Sequence, residues 1–191
     1  MNMELLKRKI CEEGAVIPPD IVKVDSFLNH QIDVDLLDEI GQEFYRRFRG
    51  KEITKILTIE ASGIAVACFA AKYFHVPVVF AKKHENRNMD EQVYEVKIHS
   101  FTKNKDYIAR VAKQYLSSED KILIVDDFLA NGEAANGLVR LVEQAGAKLA
   151  GVGIVIEKDF QNGGKSLRSR NILVESLAVI ENITEEEIIF K

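Results

Sequence analysis

The chain reads as an α/β domain built on a mostly parallel central sheet flanked by helices. Residues 53–60 (ITKILTIE), 122–125 (ILIV) and 149–156 (LAGVGIVI) are short, predominantly apolar runs, as expected of strands buried on both faces. After 53–60 and 122–125 comes a small or polar turn, then apolar residues at helical spacing. Strand, tight loop and helix in succession form the repeating unit of a parallel sheet.

In chain order, Leu5, Leu6, Lys9 and Ile10 predict a short helix closed by Gly14. Pro18-Pro19 interrupts the chain before 21–28, an alternating segment with Val22, Val24 and Phe27. The polar cluster Asn29-His30-Gln31 follows. Asp33 is then a candidate N-cap for a helix over 34–49, whose one face carries Leu36, Leu37, Ile40, Phe44 and Phe48. Strand 53–60 runs into Ala61-Ser62-Gly63 and a small-residue helix over 64–74. Residues 76–81 give the next strand, with Lys82-Lys83-His84 at its C-terminal end.

Tyr94, Val96 and Ile98 alternate with Glu95, Lys97 and His99, the pattern of an exposed strand arm. Over 106–116, Ile108, Val111, Ala112, Tyr115 and Leu116 also fit a helix. After 122–125 the helix carries Leu138, Val139, Leu141, Val142 and Ala145, with Gly146 as its stop. Strand 149–156 is expected to be the last buried one, followed by short apolar segments over 172–180 and 188–190. Gly163-Gly164-Lys165-Ser166 ends like a nucleotide-binding P-loop, but the first glycine of that motif would fall on Asp159. The stretch is read as a loop and ATP binding is excluded.

At 191 residues the length fits one domain, and 47% hydrophobic content supports a substantial core. A net charge of −4 argues against nucleic-acid binding through a broad basic face. Cys11 and Cys68 have no metal-ligand or redox spacing, so free thiols are expected. The first residues lack a signal-peptide core and no apolar run approaches membrane-spanning length, so a cytoplasmic protein is expected.

The chemistry concentrates where 122–125 ends in Asp126 and Asp127. Ligands of open α/β sheets bind at the C-terminal ends of the strands. The loop beyond these acids can offer backbone N–H groups and a helix N-terminus to an anion such as a phosphate. Asp and Gly in such loops also serve as plain caps and turns. One acid suffices for a cap, whereas two in a row suit vicinal hydroxyls, a metal or a developing cation. Glu60-Ala61-Ser62-Gly63 repeats the arrangement of strand, acid, small loop and helix.

The run ILIVDDFLANGEA resembles the motif by which type I phosphoribosyltransferases bind 5-phosphoribosyl 1-diphosphate (PRPP). The usual Thr-Gly-Gly-Thr ending is replaced by Asn131, Gly132, Glu133 and Ala134, so only the first glycine is kept. KVDSFLNHQID near the start and GIVIEKDFQ near the end extend the resemblance over nearly the whole chain, to the branch whose base is xanthine. It implies the type I phosphoribosyltransferase fold as a single domain over 1–191. The core would cover about 34–158, with a small hood from about 1–33 and 159–191, and an antiparallel arm would occupy 106–116. The implied activity is purine salvage, transfer of the phosphoribosyl group of PRPP to N9 of xanthine.

The resemblance also distributes the roles. Ala130, Asn131, Gly132, Glu133 and Ala134 would hold the 5-phosphate. Glu60, Ala61, Ser62, Gly63 and Lys82 would face the diphosphate, while Asp126 and Asp127 would serve the ribose hydroxyls as the catalytic pair. Val22, Asn29, Lys158 and Phe160 would contact xanthine, Val22 through its backbone. Ser100, Phe101, Thr102 and Lys103 would form a flexible loop closing over the site. Mg²⁺ would be held mainly by PRPP, and two copies would form a homodimer. Lys158 has three donors and no acceptor, so it suits a 6-oxo group and not the amino group of adenine. That lysine does not separate xanthine from hypoxanthine or guanine. Use of those bases, a ligand-sensing regulator on the same fold and a non-catalytic interaction domain are the competing readings.

Overall fold

A computed structural model describes residues 3–17, 20–84, 92–100, 105–184 and 187–191. Helix α1 (Glu4–Glu13) leads into a hairpin of β1 (Ala15–Ile17) and β2 (Ile21–Lys23), then a π-helical turn, Asp25–Asn29. The remaining elements are α2 (Val34–Arg47), β3 (Lys55–Ile59), α3 (Ser62–Phe74), β4 (Val78–His84), β5 (Val93–Ser100), β6 (Lys105–Ala112), β7 (Lys121–Leu129), α4 (Glu133–Gln144), β8 (Lys148–Lys158), α5 (Gly163–Ser169), β9 (Val174–Ile183) and β10 (Ile188–Phe190). Among these residues no helix is long and apolar enough to cross a membrane.

The main sheet has the order β10-β9-β8-β7-β3-β4-β6-β5. Strands β9, β8, β7, β3 and β4 run parallel, while β10, β6 and β5 pair antiparallel. From β3 the chain moves outward to β4, then returns to lay β7 on the other side of β3 and continues through β8 and β9. The order therefore reverses between β3 and β7, where an open α/β sheet forms a ligand crevice at its C-terminal strand ends.

Alternate residues of the central strands feed two apolar layers. Leu123 and Val125 pack with Leu36, Ile40, Phe44 and Val66 beneath α2 and α3. Ile122 and Ile124 pack with Leu138, Leu141 and Val142 beneath α4. Asp33 caps α2 by accepting the Leu36 N–H at 3.0 Å. Near the end of α2, Glu43 is buried and accepts from Arg46 and Arg47 at 2.7 and 2.9 Å. The Arg46 hydrogen bond is the main influence lowering its pKa from 4.5 to about 2. A depressed carboxyl stabilises the fold above its unfolded pKa and loses that contribution as pH falls through its folded one. Glu43→Gln should therefore cost about 2 kcal/mol at neutral pH. In urea unfolding series, that penalty should fade between about pH 4.5 and about pH 2. A penalty independent of pH would remove the charge from the explanation.

Several elements differ from the sequence reading. Only 21–23 of the alternating segment is strand, because Phe27 and Leu28 both turn inward, which a strand cannot do with consecutive residues. The strand expected over 76–81 continues through His84, since its end pairs with β6. The antiparallel arm expected over 106–116 is present, as strand over 105–112 held between β4 and β5. Strand 148–158 is not the last buried one, because β9 lies parallel beside it with Leu177, Ala178 and Ile180 buried. The Gly163-Gly164-Lys165-Ser166 stretch is not a loop but opens α5, whose Leu167 is fully buried.

Candidate active site

The C-terminal ends of β3, β7 and β8 lie side by side, and Glu60, Asp126, Asp127 and Lys158 sit at them. At the end of β3, Glu60 donates its N–H to Ala81 O at 3.1 Å, and its carboxylate accepts the Lys83 N–H. The loop is thereby tied to β4. The Glu60–Ala61 peptide is cis, and Ser62 and Gly63 form the first turn of α3. Their amides precede the helix's own hydrogen-bond ladder and are available to an anion.

Asp126 and Asp127, at the end of β7, are 4% and 8% exposed. Asp126 Oδ1 accepts the Asp127 N–H at 3.0 Å. The same carboxyl lies against the start of α3, where a Cβ on Gly63 would come within 2.8 Å of Asp126 Oδ1 and 2.2 Å of Thr58 Oγ1. Any side chain there would displace these two groups. Burial, reinforced by the adjacent Asp127 carboxylate, pushes the Asp126 carboxyl well above the usual aspartate range, and the Lys83 ammonium offsets part of this. Thr58 Oγ1 is buried with no hydrogen-bond partner among the described residues.

Beyond the acids the chain turns through Ala130, Asn131 and Gly132. Gly132 has φ +87°, a conformation open to glycine at little cost, and it caps α4. The first hydrogen bond of the α4 ladder is Asn136 N–H to Gly132 O at 2.8 Å. The amides of Glu133, Ala134 and Ala135 precede it and point out of the helix N-terminus. The five residues read as a phosphate loop thus form a turn and the opening of a helix, the geometry that backbone anion binding requires.

At the end of β8, Lys158 is largely buried and donates to Asp20 O at 2.7 Å. Burial lowers its pKa, and Asp20 opposes the shift. One ammonium proton is used, leaving two for a ligand. Gln161 donates to the Asp20 carboxylate at 2.6 Å, so two bonds bring the segment before β2 against the exit of β8. Val22 is buried in the β1–β2 hairpin, while Asn29 is exposed at the end of the π-helical turn. Phe160 is 38% exposed just past β8, so its ring is not part of the closed core.

Lys83, noted in the sequence as one of three basic residues at a strand end, and Tyr107, which sequence reasoning passed over, stand in the same crevice. Lys83 Nζ lies 5.3 Å from the centre of the Tyr107 ring. Burial raises the Tyr107 hydroxyl to about 12, helped by the Asp126 and Glu133 carboxylates. Lys83, Tyr107, Asp126 and Glu133 are therefore within electrostatic reach of one another. Lys82 is one residue away along a strand, so it projects to the opposite face, directly across from Arg110, which is itself paired with Glu95 on β5. Strand parity could have distinguished the two lysines, but only once β4 was known to run through His84. Of the residues assigned to the flexible loop, Ser100 ends β5, and Phe101, Thr102 and Lys103 lie outside the described residues.

Paired acids and two turns that open helices lie at the switch point of a mostly parallel sheet, which defines an α/β class that takes its ligands in that crevice. The chain belongs to the phosphoribosyltransferase family, since residues 23–185 match the family model described as "Phosphoribosyl transferase domain". It is 62% identical over 189 residues to the xanthine phosphoribosyltransferase of Clostridium novyi, covering 99% of this chain and 100% of that one. The xanthine phosphoribosyltransferase of Ruminiclostridium cellulolyticum is 60% identical over 188 residues, covering 98% and 99%. In fold, the chain superposes on the adenine phosphoribosyltransferase of Rhodothermus marinus with a TM-score of 0.75 at 23% identity, covering 94% of this chain and 98% of that one. The fold is that of the type I phosphoribosyltransferases.

Proposed function

We propose that the protein is a xanthine phosphoribosyltransferase, transferring the 5-phosphoribosyl group of PRPP to N9 of xanthine and giving XMP and diphosphate. What carries the reading is the buried, two-donor Lys158 one strand away from the paired acids, in a chain 62% identical to an enzyme of that name. The 5-phosphate lies on the amides of 130–134 with the α4 dipole behind them. The diphosphate lies on the first turn of α3, with Lys83 beside it. Asp126 and Asp127 meet the ribose 2- and 3-hydroxyls, and negative charge there favours the oxocarbenium-like sugar that forms as the C1–diphosphate bond breaks. N9 of xanthine forms the new bond to C1. Lys158 donates to the 6-oxo group, Asn29 to the 2-oxo edge, and Phe160 stacks on the purine face.

The two acids are hard oxygen donors of the kind Mg²⁺ takes beside substrate oxygens. The ion is proposed to be brought mainly by PRPP. Such an ion, when bound, offsets charge on the departing diphosphate. The enzyme is proposed to act in the cytoplasm as a homodimer, with the segments about 1–33 and 159–191 forming the hood over the base. Residues 100–103 are proposed as the closing loop, and Lys82, on the face away from Asp126, as a further contact for PRPP.

The test is direct. With PRPP and Mg²⁺, the protein should convert xanthine to XMP with release of diphosphate, use hypoxanthine and guanine poorly and leave adenine unused. A preference for hypoxanthine or adenine would overturn the base assignment, and no product with any purine would overturn the activity. Lys83→Met should raise the KM for PRPP about tenfold, as loss of a charged hydrogen bond predicts, without lowering the melting temperature. An unchanged KM would remove Lys83 from the site.

A further inference from the structure

The P-loop-like stretch Gly163-Gly164-Lys165-Ser166 has no part in the proposed chemistry, yet the structure places it directly behind the phosphate loop. Gly163 N–H donates to Ala130 O at 3.0 Å. The approach is so close that a Cβ on Gly163 would lie 2.4 Å from Ala130 O and 2.7 Å from Gly132 N. The far side of the loop is held by the residue that follows α5. Arg170 donates to Asn136 Oδ1 at 3.0 Å, and Asn136 Nδ2 donates to Gly132 O at 3.0 Å. Gly132 O thus accepts both the backbone and side-chain N–H of Asn136.

Helix α5 is in turn locked to the sheet. Arg168 forms a bidentate pair with the fully buried Glu157 at 2.6 and 2.8 Å, and Ser176 donates to the same carboxylate. Gly164 sits against that pair with no room for a side chain. Starting from β8, the chain reaches both ends of the loop within a few residues, first at Gly163 and then at Arg170.

We infer that residues 157–170 act as a clamp that fixes the curvature of the phosphate loop, with Gly163, Asn136 and Arg170 as positioning residues for the 5-phosphate of the substrate. The inference rests on the reading that 130–134 holds that phosphate. Loop amides recognise an anion only when their N–H vectors converge, and a displacement near 1 Å is enough to cost about a hundredfold in the reaction they serve. The clamp supplies convergence without touching the ligand. It also joins the phosphate loop to Lys158 and Phe160 through one short run of chain.

The experiment uses the intact protein and ribose 5-phosphate as probe. In wild type, adding the probe should shift the backbone amide resonances of 131–134. Arg170→Ala and Asn136→Ala should weaken ribose 5-phosphate binding and raise the KM for PRPP about tenfold, leaving the KM for xanthine within about twofold. Arg170→Lys, which keeps one donor for Asn136, should recover most of the loss. Gly163→Ala should have a larger effect in the same direction. If Gly163→Ala fails to fold, Arg170→Ala still decides, because the Arg170 side chain is 40% exposed and, among the described residues, pairs only with the exposed Glu143 besides Asn136. Wild-type affinity in both Arg170→Ala and Asn136→Ala, with the loop amides still shifting, would overturn the clamp and leave the phosphate assignment standing. No shift at 131–134 in wild type would overturn that assignment and the clamp with it.

Discussion

Asp127→Asn is expected to fold like the parent and to turn over at least about a hundredfold more slowly. Asp126→Asn, at the neighbouring position, should lose about tenfold or less. Two carboxylates cannot share a buried site at full charge without cost, and burial makes Asp126 the one pushed toward its neutral form. An asparagine differs little from a protonated aspartic acid, and its side-chain oxygen can still accept the Asp127 N–H. On the proposed mechanism, electrostatic support for a cationic sugar is then expected mainly from Asp127.

The stability effects run the other way. A carboxyl whose folded pKa is raised binds its proton more tightly in the folded state than in the unfolded one, so stability declines as pH rises through that range. Asp126→Asn removes this liability and should raise the melting temperature at about pH 8. Turnover at saturating PRPP, Mg²⁺ and xanthine, with thermal melts of both variants, separates the two roles. Near-normal turnover in Asp127→Asn, or losses in the reverse order, would sink the division of labour.

The second large effect is expected at Lys158. Lys158→Met keeps most of the aliphatic stem and removes the ammonium. It should weaken xanthine use by about 1.5–3 kcal/mol, roughly a tenfold to hundredfold fall in kcat/KM, as expected when a charged hydrogen bond is lost. PRPP affinity should be nearly unaffected, because the phosphate loop is built on β7 and α4 and not on the Lys158 side chain. The variant also frees Asp20 O, so the segment before β2 should be cut more readily by protease. A fall in PRPP affinity as large as that for xanthine would mean that Lys158 supports the whole crevice and does not read the base.

What could be read from the sequence was whatever a short window can hold. Ile122 to Val125 followed by two acids, a small turn and an amphipathic helix is a local pattern, and the structure reproduces it as β7 and α4. The region after Asp106 was not readable in this way, since Ile108, Val111 and Ala112 satisfy both periods. Pairing with β5 and β4, supplied from outside the window, makes it a strand. Helix α5 is too short and glycine-rich to announce itself, and its glycines make sense only against Ala130, Gly132 and Glu157. Thr58 carries no sequence signal at all, because an ordinary threonine in a strand becomes notable only when its hydroxyl is buried beside Asp126 and Gly63.

The bond from Lys158 to Asp20 O closes a separation of 138 residues, which has a consequence for the order of assembly during synthesis. The ribosome delivers Asp20 long before Lys158, at roughly 5–20 residues per second, so the early hairpin must wait several seconds for its anchor. During that interval β3 and β4 can pair beneath α3, and the later arrival of β7 and α4 adds the phosphate loop but not the 157–170 clamp that fixes it. The base side cannot form until β8 has left the exit tunnel. A nascent chain stalled before that point, which also lacks the 157–170 clamp, is therefore expected to bind PRPP more weakly than the finished protein and to remain blind to purines.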